Sequence, residues 1–167
     1  MTDVIGSGVF PCVFVLPVYF YFMAPEILNS TLFAIFSVLI AFADIKTGAI
    51  PRIAFVFAFP FLFIIKTAIM GLNHLWGSTT GMLLGLAIFL LAFFVLKGKL
   101  GLADVWYSAL IGMMLGPRYW YVSTGIACVT GIIFMLVSKR PQIPFIPFMA
   151  AGSISMSIIH IFNLSIL

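Results

Sequence analysis

The sequence predicts an all-α fold, a polytopic bundle of transmembrane helices, and two observations lead to this prediction. First, 64% of the 167 residues are hydrophobic and only 7% are charged, whereas a soluble domain is about 45–50% apolar and about 25% charged. Second, the apolar residues form long runs separated by polar residues, glycine or proline, as in helices that cross a bilayer. The length suits a single membrane-embedded domain, residues 1–167.

Seven apolar segments can be distinguished, which predicts about seven spans, or six if the first segment does not cross. The first segment is interrupted by Pro11 and Pro17. Several uninterrupted runs are shorter than the roughly 20 residues that a span needs, so flanking polar residues must enter the membrane. The segments lie near 8–24, 28–45, 52–70, 79–96, 101–117, 119–137 and 145–166.

The basic residues indicate which side of the bundle faces the cytoplasm. The loops on one side of the bundle contain a single basic residue, Arg118. Lys66 lies about one turn inside the third segment, and its ammonium group is expected to extend outward to water. Cytoplasmic loops carry an excess of Lys and Arg, so the chain is predicted to lie in the inner (cytoplasmic) membrane with its basic side in the cytoplasm. That side contains six of the eight basic residues, Lys46, Arg52, Lys97, Lys99, Lys139 and Arg140.

The chain contains only four acidic residues, and two of them are placed at the membrane edge. Asp3 lies in the N-terminal tail, and Glu26 lies in a predicted Pro-Glu turn after the first segment. Asp44 and Asp104 lie at the cytoplasmic ends of predicted spans. Because an acid at this depth is costly, these two aspartates are the first candidates for a functional site.

Helical spacing predicts that both aspartates face the inside of the bundle. Small residues recur along the helix from each aspartate, in steps of three or four. Such residues allow membrane helices to approach closely. They are Ala41, Ser37, Ala34 and Ser30 before Asp44, and Ser108, Gly112 and Gly116 after Asp104.

A second stripe of small residues occurs on the fourth segment. Gly77, Gly81 and Gly85 recur every four residues. This spacing predicts close helix packing, either within the chain or between copies in a homo-oligomer.

Two inward-facing acids at one depth are the arrangement that a carboxylate dyad needs. One carboxylate deprotonates a water molecule that attacks a peptide carbonyl, while the protonated partner stabilises the developing oxyanion. Two close carboxylates share one proton, because like charges at short range do not both ionise cheaply.

Other interpretations of the same residues stay open. Asp104 lies in the first turn of its predicted helix, where an acid is favourable without any catalytic role. Asp44 is near Lys46 and is compatible with a solvated surface charge. The two acids also fit a proton or cation relay in a small transporter, although the sequence contains no inverted repeat.

The composition predicts no metal, no cofactor and no nucleic-acid partner. Cys12 and Cys128 lie in separate apolar runs, and the sequence contains no CxxC motif and no Cys/His cluster. Its basic residues do not form a patch with interleaved aromatic residues. Membrane lipid is therefore the expected surrounding.

Three motifs in order resemble those of type IV prepilin peptidases. Residues 44–52 (DIKTGAIPR) are similar to the first aspartate motif, in which Ile-Pro and usually Asn follow six residues after Asp. Residues 101–104 (GLAD) are similar to the Gly-x-Gly-Asp motif. Residues 144–148 (PFIPF) are similar to the Pro-Phe-Gly-Pro segment that opens the last helix.

The resemblance implies an aspartyl endopeptidase without cofactor, with Asp44 and Asp104 as its catalytic residues. Its substrates would be prepilin or pseudopilin-like precursors, from which it would remove short basic leaders at the cytoplasmic face. The short chain resembles small members without the N-methyltransferase insert. The residues that the resemblance places at the substrate are Gly101, Ala103, Pro144, Phe145 and Pro147.

The sequence departs from the family pattern at three positions. Ala103 replaces the second glycine of Gly-x-Gly-Asp, Arg52 replaces the usual asparagine, and Ile146 replaces the glycine between the prolines. An alanine is compatible with a helical backbone at position 103, but its Cβ would be an obstacle at positive φ. A family member with altered proteolysis that acts as a pilus or secretion assembly partner is therefore the alternative.

Overall fold

The computed structural model describes residues 10–47, 50, 52–97, 100–138 and 144–166. Within them the protein is all-α, as predicted from the sequence. A short 3-10 turn, Leu72–His74, connects the second and third helices. The helices are α1 Phe10–Thr47, α2 Arg52–Met70, α3 Leu75–Val95, α4 Leu102–Ser138 and α5 Ile146–Ile166.

Four of these helices are long and apolar enough to cross a membrane, and α5 contains a shorter apolar stretch. Large apolar side chains such as Phe57 and Leu91 are about two-thirds exposed, as expected for surfaces that face lipid. The protein is therefore a multi-pass membrane protein, but the prediction of about seven spans is not supported. The difference arises in α1 and α4, which each contain two of the predicted segments.

Helix α1 joins the predicted segments 8–24 and 28–45 without a break. Pro25 and Glu26, which were predicted to form a turn, lie inside the helix. The 38 residues of α1 correspond to roughly 57 Å at the rise of an α-helix. This length exceeds the roughly 30 Å of a hydrocarbon core, and within α1 the stretch Pro25–Thr47 is long and apolar enough to cross it.

Helix α4 joins the predicted segments 101–117 and 119–137, but here the sequence correctly located a break. Gly116 has φ 76° and ψ 173°, which is not helical. Glycine reaches this region because it has no Cβ. Pro117 follows, and a proline has no N–H to continue the helical hydrogen bonds. Residues 102–115 are called the first half of α4 below, and residues 117–138 the second half.

The chain reverses its direction at this break. The ring of Tyr119 lies 4.7 Å from the ring of His160, towards the end of α5. Further along the second half, a Cβ placed on Gly131 would lie 3.3 Å from the ring of Phe145, just before α5 begins. The second half of α4 is therefore antiparallel to α5 and returns to the level at which the first half begins.

The first half of α4 is the centre of the bundle, since almost every residue from Asp104 to Met114 is buried. Its closest neighbour is α3. The backbones of Gly81 and Gly112 approach so closely that a Cβ on either would overlap the other, and a Cβ on Gly85 would lie 2.6 Å from the Ser108 carbonyl oxygen. The stripe predicted on α3 and the stripe predicted after Asp104 therefore pack against each other within the chain.

The stripe predicted on α1 is only partly correct. Ser37 is fully buried, but its neighbours Ala34 and Ala41 are half-buried, and larger side chains complete the contact face. Packing on this side of Asp44 is therefore made by side chains of mixed size. Among residues 25–47 of α1, the buried ones are Asn29, Phe33, Ser37 and Ile40.

Lys66 is buried inside the bundle, so the prediction that its ammonium group extends outward is wrong. Only 7% of the residue is exposed. Its Nζ donates hydrogen bonds to the carbonyl oxygens of Met113 at 2.8 Å and Met114 at 2.7 Å. The break at Gly116 deprives these carbonyls of helical donors, and the lysine supplies the replacement. The Lys66 charge also interacts with that of Glu26 on α1.

Candidate functional site

The fold brings Asp44 and Asp104 to one end of the bundle, here called the aspartate end. Asp44 lies in the last turn of α1 and Asp104 in the first turn of α4. The two carboxyl groups are close enough for their charges to interact. Asp104 is buried, with 8% of the residue exposed, whereas Asp44 is half-buried. The structure therefore places the two predicted aspartates at the same end of the bundle.

Asp104 is held by the turn that begins its own helix. Its Oδ2 accepts a hydrogen bond from the Gly101 N–H at 3.1 Å, and its own N–H donates to the Gly101 carbonyl oxygen at 3.1 Å. A Cβ on Gly101 would lie 3.0 Å from Asp104 Oδ2, which is closer than an ordinary contact. Glycine at position 101 therefore allows the backbone to approach the carboxylate.

Asp44 faces a different helix. Its carboxylate lies close enough to the backbone N–H of Ile146, the first residue of α5, for the two groups to interact. The first N–H groups of a helix have no partner within it, and this end favours a negative charge. Sequence patterns did not indicate this contact, because every residue except proline has a backbone N–H.

The same contact is compatible with isoleucine at position 146, where the family pattern has glycine. The side chain of Ile146 is 1% exposed and belongs to the apolar core. The backbone N–H and not the side chain meets Asp44, so a change from glycine to isoleucine keeps the donor.

Ala103 has a helical backbone, which answers the question raised by its departure from the family pattern. It lies in α4, and among the described residues Lys97 is the one non-glycine residue with positive φ. An alanine is therefore unstrained at position 103. Its side chain is partly buried against the core.

The other residues predicted to contact substrate lie on the chain segments that meet the two aspartates. Gly101 and Pro144 are exposed, and Pro147 is half-buried in the first turn of α5. The ring of Phe145 stacks on that of Phe89, with centroids 6.4 Å apart, so it packs into the bundle. Substrate contact by any of these residues remains a prediction.

Two carboxylates with separate backbone donors can perform acid–base chemistry on a water molecule held between them. Glu26, the remaining acid in the described residues, lies elsewhere, with an Oε2 that is 3.9 Å from His160 Nδ1. Among the residues that the structure describes, no group of three or more His, Cys, Asp or Glu side chains is placed to hold a metal ion.

Comparison with known families matches residues 31–136 to the type IV leader peptidase family. Comparisons with curated proteins and with solved structures give no match. The matched range is more than half of the chain and includes both aspartates and the turn at Gly101. The segment at Pro144 lies outside it. The two aspartate motifs and their meeting at one end of the bundle agree with this match, and the chain belongs to the type IV leader peptidase family.

Proposed function

We propose that this protein is an aspartyl endopeptidase that uses Asp44 and Asp104 to remove the leader peptide from type IV pilin-like precursors. The observation that carries the proposal is that these two carboxyl groups, one on α1 and one on α4, lie close enough for their charges to interact. The chain brings them together from positions 60 residues apart in a bundle that is mostly apolar. Membership of the leader peptidase family supplies the reaction class.

The proposed reaction needs one ionised and one protonated carboxyl group. The ionised carboxylate takes a proton from water as the water oxygen attacks the carbonyl carbon of the scissile peptide. The protonated partner gives its proton to the carbonyl oxygen. The intermediate then collapses, the C–N bond breaks, and the leaving nitrogen takes up a proton, which gives a carboxylic acid and an amine.

The backbone donors at the site would keep the two carboxyl groups in place during this cycle. Gly101 N–H donates a hydrogen bond to Asp104, and the N–H of Ile146 faces the carboxylate of Asp44. A fixed geometry matters because a displacement of about 1 Å is enough to lower a rate by about a hundredfold. Neither donor depends on a side chain that could itself titrate.

The aspartate end is proposed to face the cytoplasm of the inner membrane. Lys46 and Lys97 are exposed at this end, whereas Arg118 lies near the opposite end and Lys66 is buried. The uneven distribution follows the positive-inside rule. Substrates would then be precursors whose basic leaders remain in the cytoplasm while their apolar helices lie in the membrane.

Cleavage in proteoliposomes tests this proposal. Purified protein would be reconstituted with a pilin-like precursor encoded beside its gene, and mass spectrometry would follow the release of the leader without added metal or cofactor. The matched control is the double variant Asp44→Asn/Asp104→Asn, which preserves the shape of both side chains but removes their acid–base function. We expect one defined cut by the wild type and none by the control.

Two results would redirect the assignment. A wild type that binds the precursor without cutting it would indicate an assembly partner. Proton or cation flux in the same proteoliposomes, lost in the double variant while cleavage is absent from both proteins, would indicate a transporter.

A further inference from the structure

Four ionisable side chains from separate parts of the chain meet at the end of the bundle opposite the aspartates. They are Glu26 on α1, Lys66 on α2, His74 in the 3-10 turn and His160 near the end of α5. The imidazole of His160 is close enough to the other three groups for their charges to interact. These four residues are called the charged cluster below. The chain contains two histidines, and both belong to this cluster.

The charged cluster contains one carboxylate, and Lys66 already uses its charge. The Glu26 side chain is 15% exposed, and its charge interacts with the ammonium group of Lys66. Lys66 is fixed in place by its hydrogen bonds to two carbonyl groups at the break in α4, so it cannot move out to water. While His160 is neutral, the buried part of the cluster therefore holds one negative and one positive charge. Arg118 is exposed, with its Cζ 6.0 Å from the centroid of the Tyr119 ring, and adds a further positive charge at this end.

Protonation of His160 would disturb this balance. Its side chain is 27% exposed, and its Nδ1 lies 3.9 Å from Glu26 Oε2, which is too long for a hydrogen bond. The other face that it meets is the ring of Tyr119 on α4, with centroids 4.7 Å apart. A proton on this imidazole would place a second positive charge beside Lys66, and His74 would add to the repulsion. Water screens these charges only in part at a side chain that is mostly buried, so the charged form is disfavoured there.

We propose that His160 makes this end of the bundle sensitive to acid, because its protonation loosens the contact between α1 and α5 beside the charged cluster. Histidine changes its charge between about pH 5 and pH 8. A proton that the folded protein resists more than the unfolded chain does lowers stability as the pH falls through this range. In the proposed orientation this end lies outside the cytoplasm, so the response would be to external acid. The acid sensitivity itself does not depend on the proposed peptidase function.

Unfolding of the full-length protein by SDS titration at about pH 8 and about pH 5.5 tests the proposal. Comparing the wild type with His160→Gln removes the contribution of every titrating group that the two proteins share, Asp44 and Asp104 among them. We expect acidification to raise the unfolding equilibrium constant of the wild type about fivefold more than that of His160→Gln. His74→Gln, the same change at the exposed histidine, is the matched control and should keep most of the wild-type response. A wild-type response no larger than that of His160→Gln, or one of opposite sign, would overturn the proposal.

Two further variants test the same claim with His160 in place, and they decide it even if His160→Gln does not fold. In Lys66→Met the carboxylate of Glu26 can balance a protonated His160, so acidification should destabilise this variant less than the wild type. Glu26→Gln removes the balancing charge, so acidification should destabilise it more than the wild type. An acid response that is the same in both variants as in the wild type would show that these charges do not act on His160, and would overturn the proposal.

Discussion

The two aspartates differ in how the protein holds them. Asp104 is fixed by the turn at Gly101, three residues away on the same chain segment. Asp44 faces the N–H of Ile146, which is about a hundred residues away in sequence. The first arrangement survives any movement of α4 as a unit, whereas the second breaks if α1 and α5 separate. The position of Asp44 is therefore the more sensitive of the two to the packing of the bundle.

Ala103 provides a test at the residue scale. In a helical turn, alanine stabilises the backbone by about 1 kcal/mol over glycine, so Ala103→Gly should change the cleavage rate less than tenfold. Ala103→Leu adds bulk beside Asp104 and should reduce the rate far more than it reduces the yield of folded protein. Initial cleavage rates in liposomes measure both effects. If the wild type does not cleave the precursor and Ala103→Gly restores cleavage, the protein is a family member that has lost its proteolytic activity.

At the scale of elements, the broken helix α4 determines where Asp104 lies. Asp104 lies in the first turn of its first half, and Lys66 binds two carbonyl groups near the end of that half. Its second half returns beside α5, whose first N–H meets Asp44. The break at Gly116 therefore joins the half of α4 that carries Asp104 to the half that packs beside α5. Lys66 of α2 stabilises the backbone at this break.

We expect Lys66→Met to lower the free energy of unfolding by about 2 kcal/mol, because the carbonyls of Met113 and Met114 lose their donor. Unfolding by SDS titration in mixed micelles measures the change. Lys46→Met is the matched control, since Lys46 is exposed, and it should stay within about 0.5 kcal/mol of the wild type. Equal effects of the two substitutions would show that the buried hydrogen bonds contribute nothing specific.

The contact between α3 and α4 gives a second test at this scale. In Gly81→Ala the new methyl group meets the backbone of Gly112, which does not move as easily as a side chain, so a loss of about 1–3 kcal/mol is expected. Gly77→Ala on the same helix meets nothing within 4 Å and should be neutral or stabilising. The same SDS titration compares the pair. A stabilising effect of both alanines would contradict the close packing.

At the scale of the whole molecule, much of the architecture could be predicted, because apolar runs and the polar, glycine and proline residues between them set the limits of helices. Segment 52–70 coincides with α2, and the break at Gly116 was located within a few residues. The Pro25-Glu26 sequence misled the prediction, since a proline and an acid typical of a turn are accommodated inside α1. The error for Lys66 has a related origin, because hydropathy does not show which carbonyls a distant kink leaves free.

The site was predictable to the extent that side chains define it. Acids are rare in this apolar chain, so Asp44 and Asp104 were conspicuous. The N–H of Ile146 was not, because a backbone donor has no sequence signal. Its position depends on which helices become neighbours, and that follows from the tertiary fold.

Cysteine labelling tests the orientation of the whole molecule. In a background with Cys12 and Cys128 replaced by alanine, Thr47→Cys should react with an impermeant reagent from the cytoplasmic side. Leu72→Cys, which lies beyond the other end of α2, should react from the outside. The uneven placement of basic residues is the physical reason. Labelling of both positions from one side would exclude α2 as a membrane span.

The paired action of Asp44 and Asp104 is the central claim, and the kinetics of their asparagine variants test it most directly. Asp44→Asn and Asp104→Asn should each lower kcat/KM for precursor cleavage by at least about a thousandfold, and the double variant should be no worse than either, because groups that act as one unit are not additive. Glu26→Gln, the same change at an acid outside the site, should retain cleavage. Substantial cleavage by either single variant, or losses that multiply in the double variant, would contradict a shared dyad.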